Sequence, residues 1–431
     1  MPNNHNDDPV LIIGAGAAGL SAARELARQG IDFRIIEASH RVGGRAYSEA
    51  YQTGGWFDLG CSYLHEGEIN PLVPIAQGMG FDLGNGDRFS IDNWMMKHTG
   101  SGISADLLKE YTAFDNDLEN RMAEFARQNS QDAAIADLMD WDNPFASTHA
   151  HLLAGLNASD ASDQSVVDHL KAGSGKDYPV NGGLGRVVEA LAGGMPVELT
   201  CTAEKISWGN QGVSVETNKG VIKASKVIIT VSTGIMNSGR VEFTPVLPDA
   251  YLEAFSLLKC GTLNKIGVAL DRNSLRGDKI ADITDGWYVN FPGPHDHQSR
   301  DEDIASVDII ISDRPQAVVF AGGSFGEYLE KQGRAAMIDY AETCLINLFG
   351  SSIRAHIEDH ITTAWMNDPL TLGAYSYATP GGSPARQFLA TPVDELIYFA
   401  GEAVSIQHYG TCHGAYISGM ETARAISQSV S

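Results

Sequence analysis

Basic residues are scarce in this chain. Its 431 residues include 30 Lys and Arg against 54 Asp and Glu, a formal net charge of −24. Phosphate backbones are bound by Lys and Arg, so this balance argues against a nucleic-acid partner and against an anionic membrane surface. Cysteine is sparse as well. Cys61, Cys201, Cys260, Cys344 and Cys412 are scattered, odd in number and form no C-x-x-C pair. That pattern argues against a disulfide framework or a zinc site and fits a reducing compartment. Residues 1–8 are polar and acidic, without the positive and apolar regions of a signal peptide. No apolar run reaches membrane-spanning length. Internal repeats and low-complexity tracts are missing too. The expectation is a cytoplasmic protein with neither a membrane nor a nucleic-acid partner.

What is present begins at Val10. Val10-Leu-Ile-Ile13 is short, apolar and rich in β-branched residues, as a buried parallel strand is. Gly14, Gly16 and Gly19 follow it as G-x-G-x-x-G. Ala17 to Arg28 reads as a helix stopped by Gly30. The next strand ends in Glu37, eighteen residues past Gly19. Gly14 permits a tight turn, Gly16 lets backbone approach a pyrophosphate, and Gly19 lets helix and strand pack closely. The helix N-terminus then faces the phosphates, and Glu37 can accept hydrogen bonds from a ribose. The glycine spacing alone is weak evidence, but its strand–turn–helix–strand setting with the acidic residue in place defines a dinucleotide site. It does not choose between FAD and NAD.

The length points to two domains. Residues 67–180 alternate helical patterns, such as Leu107 to Arg127, with polar loops. Val180-Asn-Gly-Gly-Leu-Gly-Arg186 and the buried-strand pattern Lys226 to Val231 return to nucleotide-domain character. Strands near Lys265 to Leu270, Val307 to Ser312 and Ala317 to Gly322 are followed by a helix from Ala335 to Phe349. A last strand, Leu396 to Ala400, leads to a final helix at about Gly414 to Gln428. The expected fold is α/β. A Rossmann-like domain is built from 9–66, 181–239 and 386–431, with an interleaved α+β substrate domain from 67–180 and 240–385. His295-Asp-His297 has metal-ligand residue types but no third partner near it, so no metal is expected.

Three stretches carry a family resemblance: Glu37-Ala-Ser-His-Arg-Val-Gly-Gly-Arg45, Ala364-Trp-Met-Asn-Asp-Pro-Leu-Thr-Leu-Gly-Ala-Tyr-Ser-Tyr377, and Tyr398 to Gly419 with Phe399-Ala-Gly-Glu402 and His413-Gly-Ala. On these the chain resembles the flavin-containing amine oxidases, which include monoamine oxidases, polyamine oxidases and lysine-specific histone demethylases. The resemblance runs nearly end to end and implies FAD. It implies cofactor contacts from Gly14, Gly16, Ala18, Gly19, Glu37, Ser39, Gly44, Arg45, Gly60, Cys61, Ala203, Gly401, Glu402 and Ala415. Arg45 and Ser39 would lie near the pyrophosphate, Ala203 near the adenine, and Glu402, at the start of the last helix, near the ribityl chain. A structural salt bridge is the alternative reading of Arg45 and Glu402, and it ranks below the cofactor role. By the same resemblance Lys265 is the catalytic candidate, a lysine that holds a water against flavin N5; on strand pattern alone it would be an exposed lysine.

The implied reaction passes hydride equivalents from a carbon beside an amine nitrogen to flavin N5. The imine hydrolyses, and oxygen reoxidises the flavin to give hydrogen peroxide. Ala374 stands where monoamine oxidases carry the cysteine that bonds to FAD, which implies non-covalent FAD. Tyr375 matches one ring of the aromatic cage of those enzymes, while Thr411 replaces the other, as in the histone demethylases. A polyamine or other alkylamine is therefore expected as substrate, with oxygen as co-substrate. His65, Trp365 and His408 join Tyr375 and Thr411 as pocket candidates. The chain is expected to be a monomer or homodimer. Rival readings are a desaturase or dehydrogenase of the phytoene desaturase or protoporphyrinogen oxidase type, an L-amino-acid oxidase using Arg386 for the carboxylate, and a flavin-binding scaffold without turnover.

Overall fold

The computed structural model describes residues 8–98, 100–271, 283–291, 303–312 and 314–430. The His295–His297 loop lies outside them. Val10–Ile13 sits at the centre of a five-stranded parallel sheet, between Phe33–Ile36 and Val227–Ile229. Ile397–Phe399 and Val197–Glu198 form its two edges. All four residues of Val10–Ile13 are buried because both faces of the sheet are covered, as parallel sheets require. Their alternation divides them. Val10 and Ile12 join Leu20, Leu26, Val187 and Ile426 in one core. Leu11 and Ile13 join Ile206, Val215 and Phe255 in the other.

The helix Ala17–Gln29 packs against the last helix, Cys412–Val430. A side chain at Gly419 would meet the Ala18 carbonyl oxygen at 2.0 Å, so the backbones approach closely only because glycine is there. The Ser21 hydroxyl donates to the Tyr416 carbonyl at 2.6 Å. This contact returns the chain's last segment to the glycine fingerprint. On the opposite face lies a four-stranded sheet, in the order Gly220–Ala224, Gly212–Thr217, Ala203–Gly209, Glu242–Thr244. Gly220–Ala224 and Val227–Ile229, only two residues apart, are strands of two different sheets. The helix Asp249–Leu257 packs Tyr251, Ala254 and Phe255 into the core shared with the nucleotide sheet.

A six-stranded sheet forms the second half, among the described residues. Its order is Ile357–Thr362, Leu263–Leu270, Gln316–Gly322, Ala305–Ile310, Gly286–Phe291, Met95–His98. In Leu263–Leu270 the period of two again sorts the side chains. Ile266, Val268 and Leu270 enter a core with Leu345 and Met337 of the helix Arg334–Phe349. Ala269 enters the core under the helix Ala105–Gln128, on the side of Phe57, over whose ring the Lys265 amine stands at 5.4 Å. Lys265 is 4% exposed, so it is no surface strand lysine. The fold is α/β, Rossmann-like in its first part, with an α+β region interleaved.

Candidate active site

One cavity of about 800 Å³ runs from the glycine fingerprint to Lys265. At the first end it is walled mainly by backbone. Gly14 adopts φ +107° beside Thr230, a conformation that side chains disfavour. Glu37 accepts from the Ala15 amide at 2.7 Å and the Ser39 amide at 2.8 Å, which fixes its carboxylate at the cavity wall. Gly16, Ala18, Ser39, Gly44 and Ala203 line the same end. Gly19 does not. A side chain there would meet the Gly14 carbonyl oxygen at 1.9 Å, so its service is close packing of helix on strand.

Midway, Arg45 and Glu402 form an ion pair at 2.9 Å. Arg45 also donates to the Ala374 carbonyl at 3.0 Å. Glu402 accepts further from the Ser376 hydroxyl at 2.6 Å, the Ser376 amide at 3.1 Å and the Gly410 amide at 2.9 Å. Burial opposes its charge, but Arg45, Ser376 and Arg386 outweigh burial and hold its carboxyl below the usual range. The plain salt-bridge reading of the two residues is thus real geometry, and both also line the cavity. Glu402 lies on the short turn Glu402–Val404, ten residues ahead of the last helix rather than at its start. That helix is capped instead by Thr411, whose hydroxyl accepts from the Gly414 amide at 3.0 Å and donates to the His408 carbonyl at 2.7 Å.

At the far end the Lys265 amine donates to the Gly60 carbonyl at 2.5 Å and the Ser62 hydroxyl at 2.5 Å. Gly60 has no room for a side chain because the Arg45 carbonyl oxygen presses on it. An ammonium has three donors, so one proton of Lys265 remains for the cavity. Burial pushes the lysine down to about 8, against the opposing pull of Asp58. Asp58 itself is anchored by the Ser48 hydroxyl and by the amides of Leu184 and Gly185. Trp365 is buried and donates its indole N–H to the Leu59 carbonyl at 3.0 Å. Tyr375 donates to the Leu156 carbonyl at 2.5 Å. Cys61, Ala374, Gly401 and Ala415 complete the predicted lining.

One expectation about this end needs correction, and one rival reading loses its residue. His408 does not line the cavity. Its Nδ1 turns to Glu66 Oε2 at 2.5 Å, drawn by a buried carboxylate. Its neighbour Tyr409 faces the cavity instead. Arg386 is equally unavailable for a substrate carboxylate. It is fully buried, bidentate to Asp168 at 2.8–3.1 Å, bonded to Ser376 and the Ala403 carbonyl, and stacked 4.0 Å from the Tyr409 ring. His65 does reach the wall, half-exposed, with Nδ1 2.8 Å from Asp177.

Sequence reasoning missed Asp58, Ser62, Asp177 and above all Glu66. Glu66 is buried at the cavity wall, and its Oε2 also meets His413 Nε2 at 3.0 Å. Burial, then the neighbouring His408 and His65, push His413 down to about 3, so it is neutral. Glu66, His408 and His413 place their donor atoms within 4.8 Å of one another, a spacing able to hold an ion, where sequence offered no metal site. Both imidazoles nevertheless sit at hydrogen-bonding distance from one and the same oxygen. Nothing local in the sequence marks Glu66, because its partners His408 and His413 lie 342 and 347 positions away.

A dinucleotide fingerprint that opens into a cavity ending at a buried lysine is the arrangement an oxidoreductase with a nucleotide cofactor needs. Residues 105–427 match the family of flavin containing amine oxidoreductases, and residues 12–74 match an NAD(P)-binding Rossmann-like domain. Polyamine oxidase 4 of Oryza sativa subsp. japonica is 28% identical over 460 residues, covering 96% of this chain and 87% of its own. Lysine-specific histone demethylase 1 homolog 2 of Arabidopsis thaliana is 26% identical over 466 residues, covering 99% of this chain but only 59% of that larger relative. Among solved structures, a putrescine oxidase bound to putrescine shares the fold with a TM-score of 0.77 at 19% identity, covering 97% of this chain and 98% of its own. The chain belongs to the flavin-containing amine oxidoreductase family, and it is a flavin-dependent enzyme whose cofactor is FAD. The residues present fit FAD. Nothing stands within 4 Å of where a side chain at Gly401 would project, and the cavity is continuous from Glu37 to Lys265. No helix among the described residues is long and apolar enough to cross a membrane.

Proposed function

We propose that the protein oxidises a C–N bond of a polyamine or other alkylamine. Amine, oxygen and water would give a carbonyl compound, a smaller amine or ammonia, and hydrogen peroxide. The observation that carries this reading is Lys265, buried at the cavity's far end with one N–H free of Gly60 and Ser62. Bound FAD supplies the acceptor for the two electrons. The rest falls to the chain. Glu37 retains acceptor capacity for a ribose beyond its two backbone bonds. Arg45 offers a fixed cation beside the phosphates, kept in place by Glu402. The apolar wall of Leu263, Trp287, Phe320 and Trp365 favours the amine in neutral form, because an unpaired ammonium there is costly. Lys265 can hold a water by its third proton and set a positive charge where negative charge develops.

The locked state of Arg386 speaks against an amino-acid oxidase that uses it. Ala374 at the cavity wall offers no thiol, which supports non-covalent FAD. We also propose the division into 9–66, 181–239 and 386–431 for FAD and 67–180 with 240–385 for substrate, a monomeric or homodimeric state, and a cytoplasmic setting. The decisive experiment mixes purified yellow protein anaerobically with spermidine, spermine, putrescine, tyramine and L-amino acids. Bleaching by an aliphatic amine, with peroxide on readmission of air, is the expected result. Bleaching by none of the amines sinks the reading. Acid precipitation should release the flavin into the supernatant; yellow retained in the pellet would refute non-covalent binding.

A further inference from the structure

We infer that Cys61 and Cys412 are a peroxide-modified pair: hydrogen peroxide oxidises Cys61, Cys412 closes a disulfide onto it, and the bridged enzyme is slowed. The thiol chemistry stands apart from the amine-oxidase reading above; only the source of the peroxide rests on it. Both residues are free cysteines on the wall of one cavity. Cys61 lies in the stretch Gly60-Cys61-Ser62, and the Lys265 amine grips the residue on either side of it, at 2.5 Å in both cases. Its sulfur is thus held at the end of the cavity where a reduced cofactor would meet oxygen. Cys412 opens the helix Cys412–Val430, and its thiol donates to the Cys61 sulfur. The two side chains also pack in the same apolar core.

The other three cysteines lack this setting. Cys260 and Cys344 do not line the cavity, and burial pushes their thiols up to about 11 and about 12. Cys201 lines the nucleotide end, beside Ala203. Within the pair the roles divide. The Cys61 sulfur first, then burial, hold the Cys412 thiol well above its ordinary value, so Cys412 keeps its proton. Cys61 faces a cation: Lys265, pushed down by burial, is drawn back up by Asp58 and then by Cys61. A half-buried cysteine beside a cation is the one that meets peroxide. In the first step a bond forms between the Cys61 sulfur and one peroxide oxygen. The O–O bond breaks, and the other oxygen leaves as water with the Cys61 proton. The Cys412 sulfur then attacks the Cys61 sulfur. An S–S bond forms, the S–O bond breaks, and a second water carries off the Cys412 proton. Two thiols lose two electrons and the peroxide gains them. The bridge draws the sulfurs to about 2.05 Å. That pulls on the stretch holding Lys265, and a misplacement of about 1 Å near a reacting group costs about 100-fold in rate.

The test treats the FAD-bound wild type with hydrogen peroxide, blocks remaining thiols with N-ethylmaleimide and digests without reductant. Mass spectrometry should find the Cys61 and Cys412 peptides joined, with two of the five thiols lost and both restored by dithiothreitol. Cys412→Ser should stop Cys61 at a sulfenic acid that dimedone traps, with flavin absorbance confirming the fold. Amine turnover by the bridged protein should be about 10- to 100-fold slower than after dithiothreitol. Five thiols surviving peroxide overturn the inference. So do Cys61 oxidised without the cross-link in wild type, and equal rates before and after reduction. Replacing added peroxide by amine and air should give the same cross-link, prevented by catalase. Failure of every amine to yield peroxide would sink the amine-oxidase reading, while the cross-link made by added peroxide still decides the thiol pair.

Discussion

The two ends of the cavity are made of different materials. At the nucleotide end, backbone amides and glycines form the wall, and the side chain that matters, Glu37, is held by two amides. At the Lys265 end the wall is side chain: a buried lysine, the carboxylate of Glu66, and the rings of Trp365 and Tyr375. A backbone wall recognises a group common to many enzymes and shifts few ionisation equilibria. A wall of buried ionisable side chains ties chemistry to pH and to the charge of the ligand. Between them stands the Arg45–Glu402 pair, which contacts both kinds of wall through Ala374, Ser376 and Gly410.

Substitutions can break this contrast in order of expected size. Glu402→Ala removes the carboxylate partner of the partly buried Arg45 and should cost about 3 kcal/mol of stability in the FAD-free protein, read by thermal or urea unfolding. A loss within experimental error would mean the clamp is idle. Lys265→Met should lower turnover about 100-fold while FAD stays bound, read by stopped-flow kinetics alongside flavin absorbance. Retained turnover would strip the lysine of its proposed role. The same residue gives the pH test. Burial brings it down to about 8, so it carries its charge below that pH and loses it above. A rate that needs the charge should fall as pH rises through about 8, and Lys265→Met should lack that limb. Smallest of all, Thr411→Ala removes the cap of the last helix and should cost about 1 kcal/mol without altering the pH profile.

The nucleotide end was legible in sequence because its determinants are local. Val10 to Glu37 sets strand, turn, helix and strand within thirty residues or so, and the structure has them within a residue or two of the expected bounds. Lys265 was legible as a strand residue and, through resemblance, as a candidate. Its burial was not, since Gly60 and Ser62 lie about two hundred positions away. Glu66 was missed for the same reason: its partner His408 is 342 positions distant. The helix Asp249–Leu257 read as nothing distinct, yet its apolar face completes the core beside the nucleotide sheet. His408 shows the converse error, and the rival use of Arg386 fails in the same way. Residue type placed them at the substrate, but each had a buried carboxylate closer to hand.

The Arg386 contacts carry a mechanical consequence. This one guanidinium joins Asp168, 218 positions earlier in the chain, to Ser376 and to the turn that bears Glu402. The segment Val166–His169, next to the cavity wall, is thereby bolted to the clamp at the cavity's waist. In hydrogen exchange the two should open together as one cooperative unit rather than fray separately. Whatever loosens Val166–His169 would then be felt at the Arg45–Glu402 pair.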